Sequence, residues 1–147
     1  MKKIALLADV PNWAWGIKSQ YIQKYLRNEF EIDIYYLERS GNYRDMRART
    51  DYDLYVTYTP RYIEHINHVP RERRVTGITS HPGFERMCQG VDFNKKVVAV
   101  HANSILLYNM MKNTHKRVFY VPNGVDCDLF KPSEKTINRN NVIIGFV

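Results

Sequence analysis

Cysteine is scarce, with only Cys88 and Cys127 in 147 residues, far apart and without partners at metal-ligand spacing. That excludes a disulfide-framed scaffold and predicts reduced thiols. Long apolar runs are also lacking: no stretch approaches the roughly 20 residues that span a bilayer. The opening MKKIALLADV sets two lysines before an apolar run, but Asp9 interrupts it early and no small-residue cleavage site follows. It reads as a buried first strand and not as a signal peptide. No Ser/His/Asp triad motif, Walker loop, CxxC pair or HExxH motif occurs. His65 and His68 stand three apart beside Glu64 but have no third ligand, so no metal site is expected. Acidic residues are in deficit, 15 against 22 Lys and Arg, giving a net charge of +7 and a pI near 9.4. Such a balance fits a solvated basic surface or an anionic partner: nucleic acid, an anionic membrane surface or a phosphorylated small molecule.

What is present is alternation. Strand-length apolar runs occupy KIALLAD (3–9), EIDIYYL (31–37), DLYVTYT (53–59), RRVTGITS (73–80), KKVVAVH (95–101) and RVFYVP (117–122). Between the first two, Ile17, Tyr21, Ile22, Tyr25 and Leu26 fall on one helical face. The segments NYRDMRAR, PRYIEHINH, GFERMCQG and NSILLYNMMKN suit crossover helices, the last capped by Asn103 or Ser104. Short apolar strands separated by helices predict an α/β fold: a Rossmann-like, doubly wound, mainly parallel sheet.

Ligands of such sheets lie outside the carboxyl ends of the strands, which directs attention to 9–16, 58–61, 80–84, 101–104 and 122–126. The first of these, DVPNWAWGIKSQ, carries only Gly16 where a dinucleotide-binding loop has three glycines. A cofactor pyrophosphate would lack its close backbone approach, so neither NAD nor FAD is expected. Trp13 and Trp15 fit either a shaped apolar loop at a cleft mouth or ordinary packing over the sheet edge. Lys18 fits an anion contact or an ordinary exposed lysine. In TSHPGFERM, His81 leaves a strand before a turn at Pro82 and Gly83, with Glu85 in the following helix. A histidine there can donate a hydrogen bond or move a proton near neutral pH, or it can simply fill the turn.

The stretch 121–132, VPNGVDCDLFKP, follows the last strand, where Pro122, Asn123 and Gly124 supply a turn. It resembles the N-G-V-D-x-x-x-F-x-P signature that ends the amino-terminal domain of GT-B glycosyltransferases of family 4, also called group 1. The opening ADVPNWAWGIKSQYIQKYL is similar to that family's first strand, cleft loop and helix, and VTGITSHPGFE to its strand ending near an acceptor-facing histidine. The resemblance runs through residues 1–132 in order. It implies an amino-terminal, acceptor-side domain over 1–132, a linker over 133–141, and at 142–147, NVIIGFV less its first residue, the start of a carboxy-terminal donor-binding domain. The activity it implies is transfer of a sugar from a nucleotide sugar to a hydroxyl acceptor, with retention, without a metal and without a cofactor. The nucleotide diphosphate sugar is the co-substrate, held mainly by the second domain. His81 is the implied acceptor-side catalytic residue. The cleft would draw on Asn12, Trp13, Gly16, Lys18, Glu85, Asn103, Ser104, Asn123 and Gly124. Family members often carry a double glycine where this loop has Gly16 alone.

The expected acceptor is a glycan or a lipid-linked or surface sugar, and the expected location is the cytoplasm, with peripheral contact to an anionic membrane. A stand-alone Rossmann-like module that binds an anionic ligand or nucleic acid is the alternative. Its basic residues, in RDMRAR, RERR and elsewhere, are scattered and form no nucleic-acid motif, so specific nucleic-acid binding is not expected.

Overall fold

Alternating apolar runs form six strands: β1 (Lys2–Ala8), β2 (Phe30–Tyr36), β3 (Leu54–Thr57), β4 (Arg74–Ile78), β5 (Ala99–Ala102) and β6 (Val118–Tyr120). The computed structural model describes residues 1–38, 42–81, 85 and 88–131. All neighbouring strands pair in parallel, in the order β2-β1-β3-β4-β5-β6. The expected α/β, Rossmann-like parallel sheet is what the chain forms. The expected linker and second-domain strand over 133–147, and the turn at Pro82 and Gly83, lie outside the described residues.

Helices α1 (Ala14–Leu26), α2 (Asn42–Arg47), α3 (Phe93–Lys96) and α4 (Ile105–Met111) flank the sheet. Side chains alternate faces along a strand, so Ala5 and Leu7 of β1 join one side. There they meet Tyr35, Met46 of α2, Tyr52, Tyr55, Ile66 and Val69. A second cluster, around Ile78, Phe93, Val97, Val100, Leu107 and Met111, seats α3 and α4.

Two departures from the sequence reading change the type of element formed. Lys95 and Lys96 belong to α3 and not to β5, because the Asp92 carboxylate accepts from the Lys95 backbone N–H at 3.3 Å and starts a helical turn there. The Pro60–Ile66 crossover is a 3-10 helix, led by proline, whose missing N–H costs nothing at a helix start. At α4 the cap is Ser104, whose hydroxyl accepts from Leu107 N–H at 3.2 Å. Among the described residues, no helix is long and apolar enough to cross a membrane.

The basic run RERR also has local work. Arg71 Nε donates to Asn94 O at 2.6 Å, an Arg73 guanidinium nitrogen donates to Thr50 O at 3.0 Å, and Arg74 Nε donates to Val69 O at 2.8 Å. These three cations tie loop carbonyls together, where an unpaired carbonyl would be costly.

Candidate functional site at the carboxyl edge of the sheet

In a doubly wound sheet the crevice forms where successive connections leave in opposite directions. With β1 flanked by β2 and β3, that point lies between β1 and β3. Asp9 and Tyr58, which follow these strands, are both buried.

The first turn of α1 closes over this point. The Trp15 indole N–H donates to Thr79 Oγ1 at 3.2 Å, the Thr79 hydroxyl donates to Tyr58 O at 3.1 Å, and Asn103 Nδ2 donates to Thr79 O at 3.1 Å. One hydrogen-bonded chain thus joins α1 to the ends of β3, β4 and β5. Trp15 also stacks on Tyr58, with ring centroids 6.2 Å apart, and meets Tyr62 edge-on at 5.8 Å. Trp13 makes the opposite choice and stands 69% exposed on the loop.

Beneath α1 the interior is polar. Ser19 Oγ and the Tyr58 hydroxyl lie 2.9 Å apart, and burial pushes the Tyr58 hydroxyl up to about 12, so it stays protonated. Thr57 Oγ1 donates to Thr59 O at 3.2 Å, which leaves it to accept from Thr76 Oγ1 at 2.8 Å. His101 lies opposite Gly77 in the β4–β5 register, and a Cβ at Gly77 would come within 2.5 Å of the imidazole. Glycine in this strand makes room for the ring. The ring meets Tyr58 edge-on at 6.1 Å. Burial, followed by the Lys18 charge, draws its pKa down to about 4 against an opposing hydrogen bond with the Thr57 backbone. Among the described residues, His101 Nδ1 and Asp9 Oδ1 are buried without hydrogen-bond partners.

Lys18 is the cation whose charge reaches His101. Its Nζ donates to Asn123 Oδ1 at 2.8 Å and lies 5.7 Å from the Tyr58 ring centroid. Both partners are neutral, and burial lowers its pKa. From Asn123 the segment 121–130 runs along α1 and leaves between them a groove of about 910 Å³. The apolar stripe of α1 faces this groove and not the core: of the helix, only Gly16 and Ser19 are buried, whereas Ile17 is 44% and Tyr25 53% exposed. Asp126 anchors the far side. Its carboxylate accepts from Asp128 and Leu129 N–H at 2.9 and 3.2 Å and lies 4.0 Å from Lys24 Nζ. Desolvation alone would raise this carboxyl, but those N–H groups, with Tyr25 and Lys24, hold it below its ordinary value.

Of the residues proposed from sequence, Lys18, Asn103, Asn123 and Gly124 line the groove. Asn12 and Trp13 are exposed on the loop before α1, Gly16 is buried where α1 meets that loop, and Ser104 serves as a helix cap. His81 and Glu85 are exposed and lie outside the groove lining. Asp9, Tyr58 and His101 fall within the strand-end segments 9–16, 58–61 and 101–104 singled out from the sequence, but neither they nor Thr79 were among the proposed site residues. Their signal was available in their place: Asp9, Tyr58 and Thr79 directly follow strands, and His101 is the next-to-last residue of β5. Among the described residues no group of three His, Cys, Asp or Glu converges to hold a metal; His68 Nε2 instead lies 3.2 Å from Arg49 O. No protein-family model, no curated protein and no solved structure matches the chain.

Proposed function

We propose that this chain is the acceptor-side domain of a glycosyltransferase that moves a sugar from a nucleotide diphosphate sugar to an acceptor hydroxyl. The observation that carries the reading is the course of residues 121–130. The segment whose residues resemble the family signature runs along α1 and bonds Asn123 to Lys18 at the carboxyl edge of a six-stranded parallel sheet. That is the edge at which such sheets bind ligands.

In this reaction the bond from the anomeric carbon to the diphosphate oxygen breaks and one to the acceptor oxygen forms. The electron pair of the broken bond leaves with the diphosphate, and the acceptor proton must also depart. This domain would hold the acceptor and aim its hydroxyl. His81, exposed at the end of β4, is the group proposed to take the proton. The donor diphosphate would be held mainly by a second domain, and closure between the two would exclude water from the activated sugar. Retention and independence from metal are part of the proposal. Of the alternative, a stand-alone module that binds an anionic ligand or nucleic acid, the nucleic-acid form loses support because Arg71, Arg73 and Arg74 are engaged with backbone carbonyls.

The test has two arms. Calorimetric titration of the 147-residue chain with nucleotide sugars should show no binding tighter than about millimolar, the weak end of the affinity scale. The complete enzyme should consume the donor in the presence of acceptor. His81→Ala should lower its kcat about a hundredfold or more while leaving donor affinity nearly unchanged, the effect of losing a proton-transfer group. Tight donor binding by the 147-residue chain would sink the half-enzyme reading, and wild-type turnover in the variant would return His81 to a purely structural role.

A further inference from the structure

The groove along α1 is chemically divided. At the sheet end stand Lys18, Thr79, Asn103 and Asn123, all polar and continuous with the hydrogen-bonded chain that holds Trp15. Away from that end the helix offers Tyr21, Ile22, Tyr25 and Leu26, and Val125 and Phe130 are supplied from across the groove. Phe130 and Val125 are more than two-thirds exposed, and none of the apolar stripe of α1 is buried. An apolar stripe that no described residue buries carries a standing hydrophobic cost that a ligand can relieve.

The charge at the polar end chooses among ligands. Lys18 is partly desolvated, and among the described residues it is paired with an amide oxygen and a ring face. A desolvated ammonium with neutral partners gains most from an anion. Asp126, the carboxylate among the lining residues, is occupied by its own turn, Lys24 and Tyr25, so it leaves Lys18 uncompensated. The trough from Ile17 to Leu26 follows about 13 Å of helix, close to the length of an extended medium-chain alkyl group.

We propose that this groove binds a lipid phosphate, with the anionic head at Lys18 and Asn123 and the hydrocarbon tail along the apolar stripe of α1. Resting on the transferase reading, it assigns the acceptor to the class of sugars carried on a lipid through a phosphate. The head at Lys18 then places the attached sugar over the carboxyl ends of β3, β4 and β5, where Thr79 and Asn103 stand.

Dodecyl phosphate, below its micellar concentration, is the probe, with the indole N–H resonance of Trp15 and the backbone amides of α1 as readout. The expected result is saturable shifts at Trp15, Ile22 and Tyr25. Uncharged dodecyl maltoside should bind about tenfold more weakly, and inorganic phosphate should produce no shift along the apolar stripe. Lys18→Gln and Ile17→Asp should each weaken dodecyl phosphate about tenfold. Both sites are at least partly exposed, and thermal melts matching wild type would show that the fold is kept. Absence of saturable binding, equal affinity for the maltoside, or shifts confined to residues outside the groove would overturn the proposal. The outcomes separate from those of the transferase reading. A complete enzyme that glycosylates a soluble sugar while this chain ignores dodecyl phosphate refutes only the lipid site. Lipid-phosphate binding by a protein that never consumes a nucleotide sugar refutes only the transferase.

Discussion

Replacing Gly16 with alanine is expected to destabilise the domain by about 2 kcal/mol or more, in the range of backbone-resisted overpacking, even though alanine is the better helix former. The two effects oppose each other. A glycine inside a helix costs about 1 kcal/mol relative to alanine, which the substitution would recover. Against this, a Cβ at Gly16 would fall 2.6 Å from the Pro11 carbonyl oxygen and 2.7 Å from its carbon, and closer still to the Val10 carbonyl oxygen. These are main-chain atoms of the tight β1–α1 loop, so no rotamer change relieves the clash. Either the first turn of α1 lifts away or the loop shifts, and both would disturb the Trp15 bond to Thr79. Urea and thermal denaturation should show the loss as a Tm lower by roughly 6–10 °C, given the usual entropy of unfolding for a domain of this size. Gly124→Ala is the control: a Cβ there meets nothing within 4 Å, and stability should stay within about 0.5 kcal/mol of wild type. Equal Tm for Gly16→Ala and wild type would mean that the loop yields freely. The same glycine explains why a lone Gly serves in a loop where dinucleotide folds use three: here its use is close helix–loop contact.

The sheet was legible because its strands are short, apolar and regularly spaced. Each of the six overlaps a segment that periodicity marked, with β1, β2 and β5 each reaching one residue beyond it, and their parallel pairing follows from the intervening helices. The errors fell where a single side chain overrode the run, as Asp92 did in turning Lys95 and Lys96 into a helix. The helical stripe of α1 was equally legible, but not its destination. Periodicity shows that Ile17, Tyr21, Ile22, Tyr25 and Leu26 share a face. It cannot show that Gly16 and Ser19, on another face, are the residues of the helix that become buried. The site suffered most from this limit. Lys18 and Asn123 are 105 residues apart, and only folding brings a lysine that looked ordinary against an amide in a turn. Thr79, Tyr58 and His101 looked like routine strand residues, because threonine, tyrosine and β-branched neighbours are what strands contain. Their partners, not their identities, mark them.

The second large effect concerns acid. His101 titrates near 6.5 when unfolded, but in the fold burial, then the nearby Lys18 charge, draws it down to about 4. Between those values the unfolded chain binds a proton that the folded chain refuses, so stability rises with pH across this window. The contribution is fully present above pH 6.5 and is lost progressively as pH falls toward 4, amounting to about 2–3 kcal/mol. Carboxylates add an acid sensitivity of their own, so the informative quantity is a difference between variants. Urea midpoints of wild type should fall more steeply between pH 7 and pH 4.5 than those of His101→Gln, which keeps a polar side chain but cannot titrate. Lys18→Gln offers an independent check that does not depend on the first variant folding. Removing that charge should raise the His101 ring pKa measured by NMR while leaving it below the ordinary value, because burial is the larger cause. Parallel pH profiles for wild type and His101→Gln, with a ring that titrates near 6.5 in the folded protein, would place the imidazole in contact with water and remove it from beneath α1.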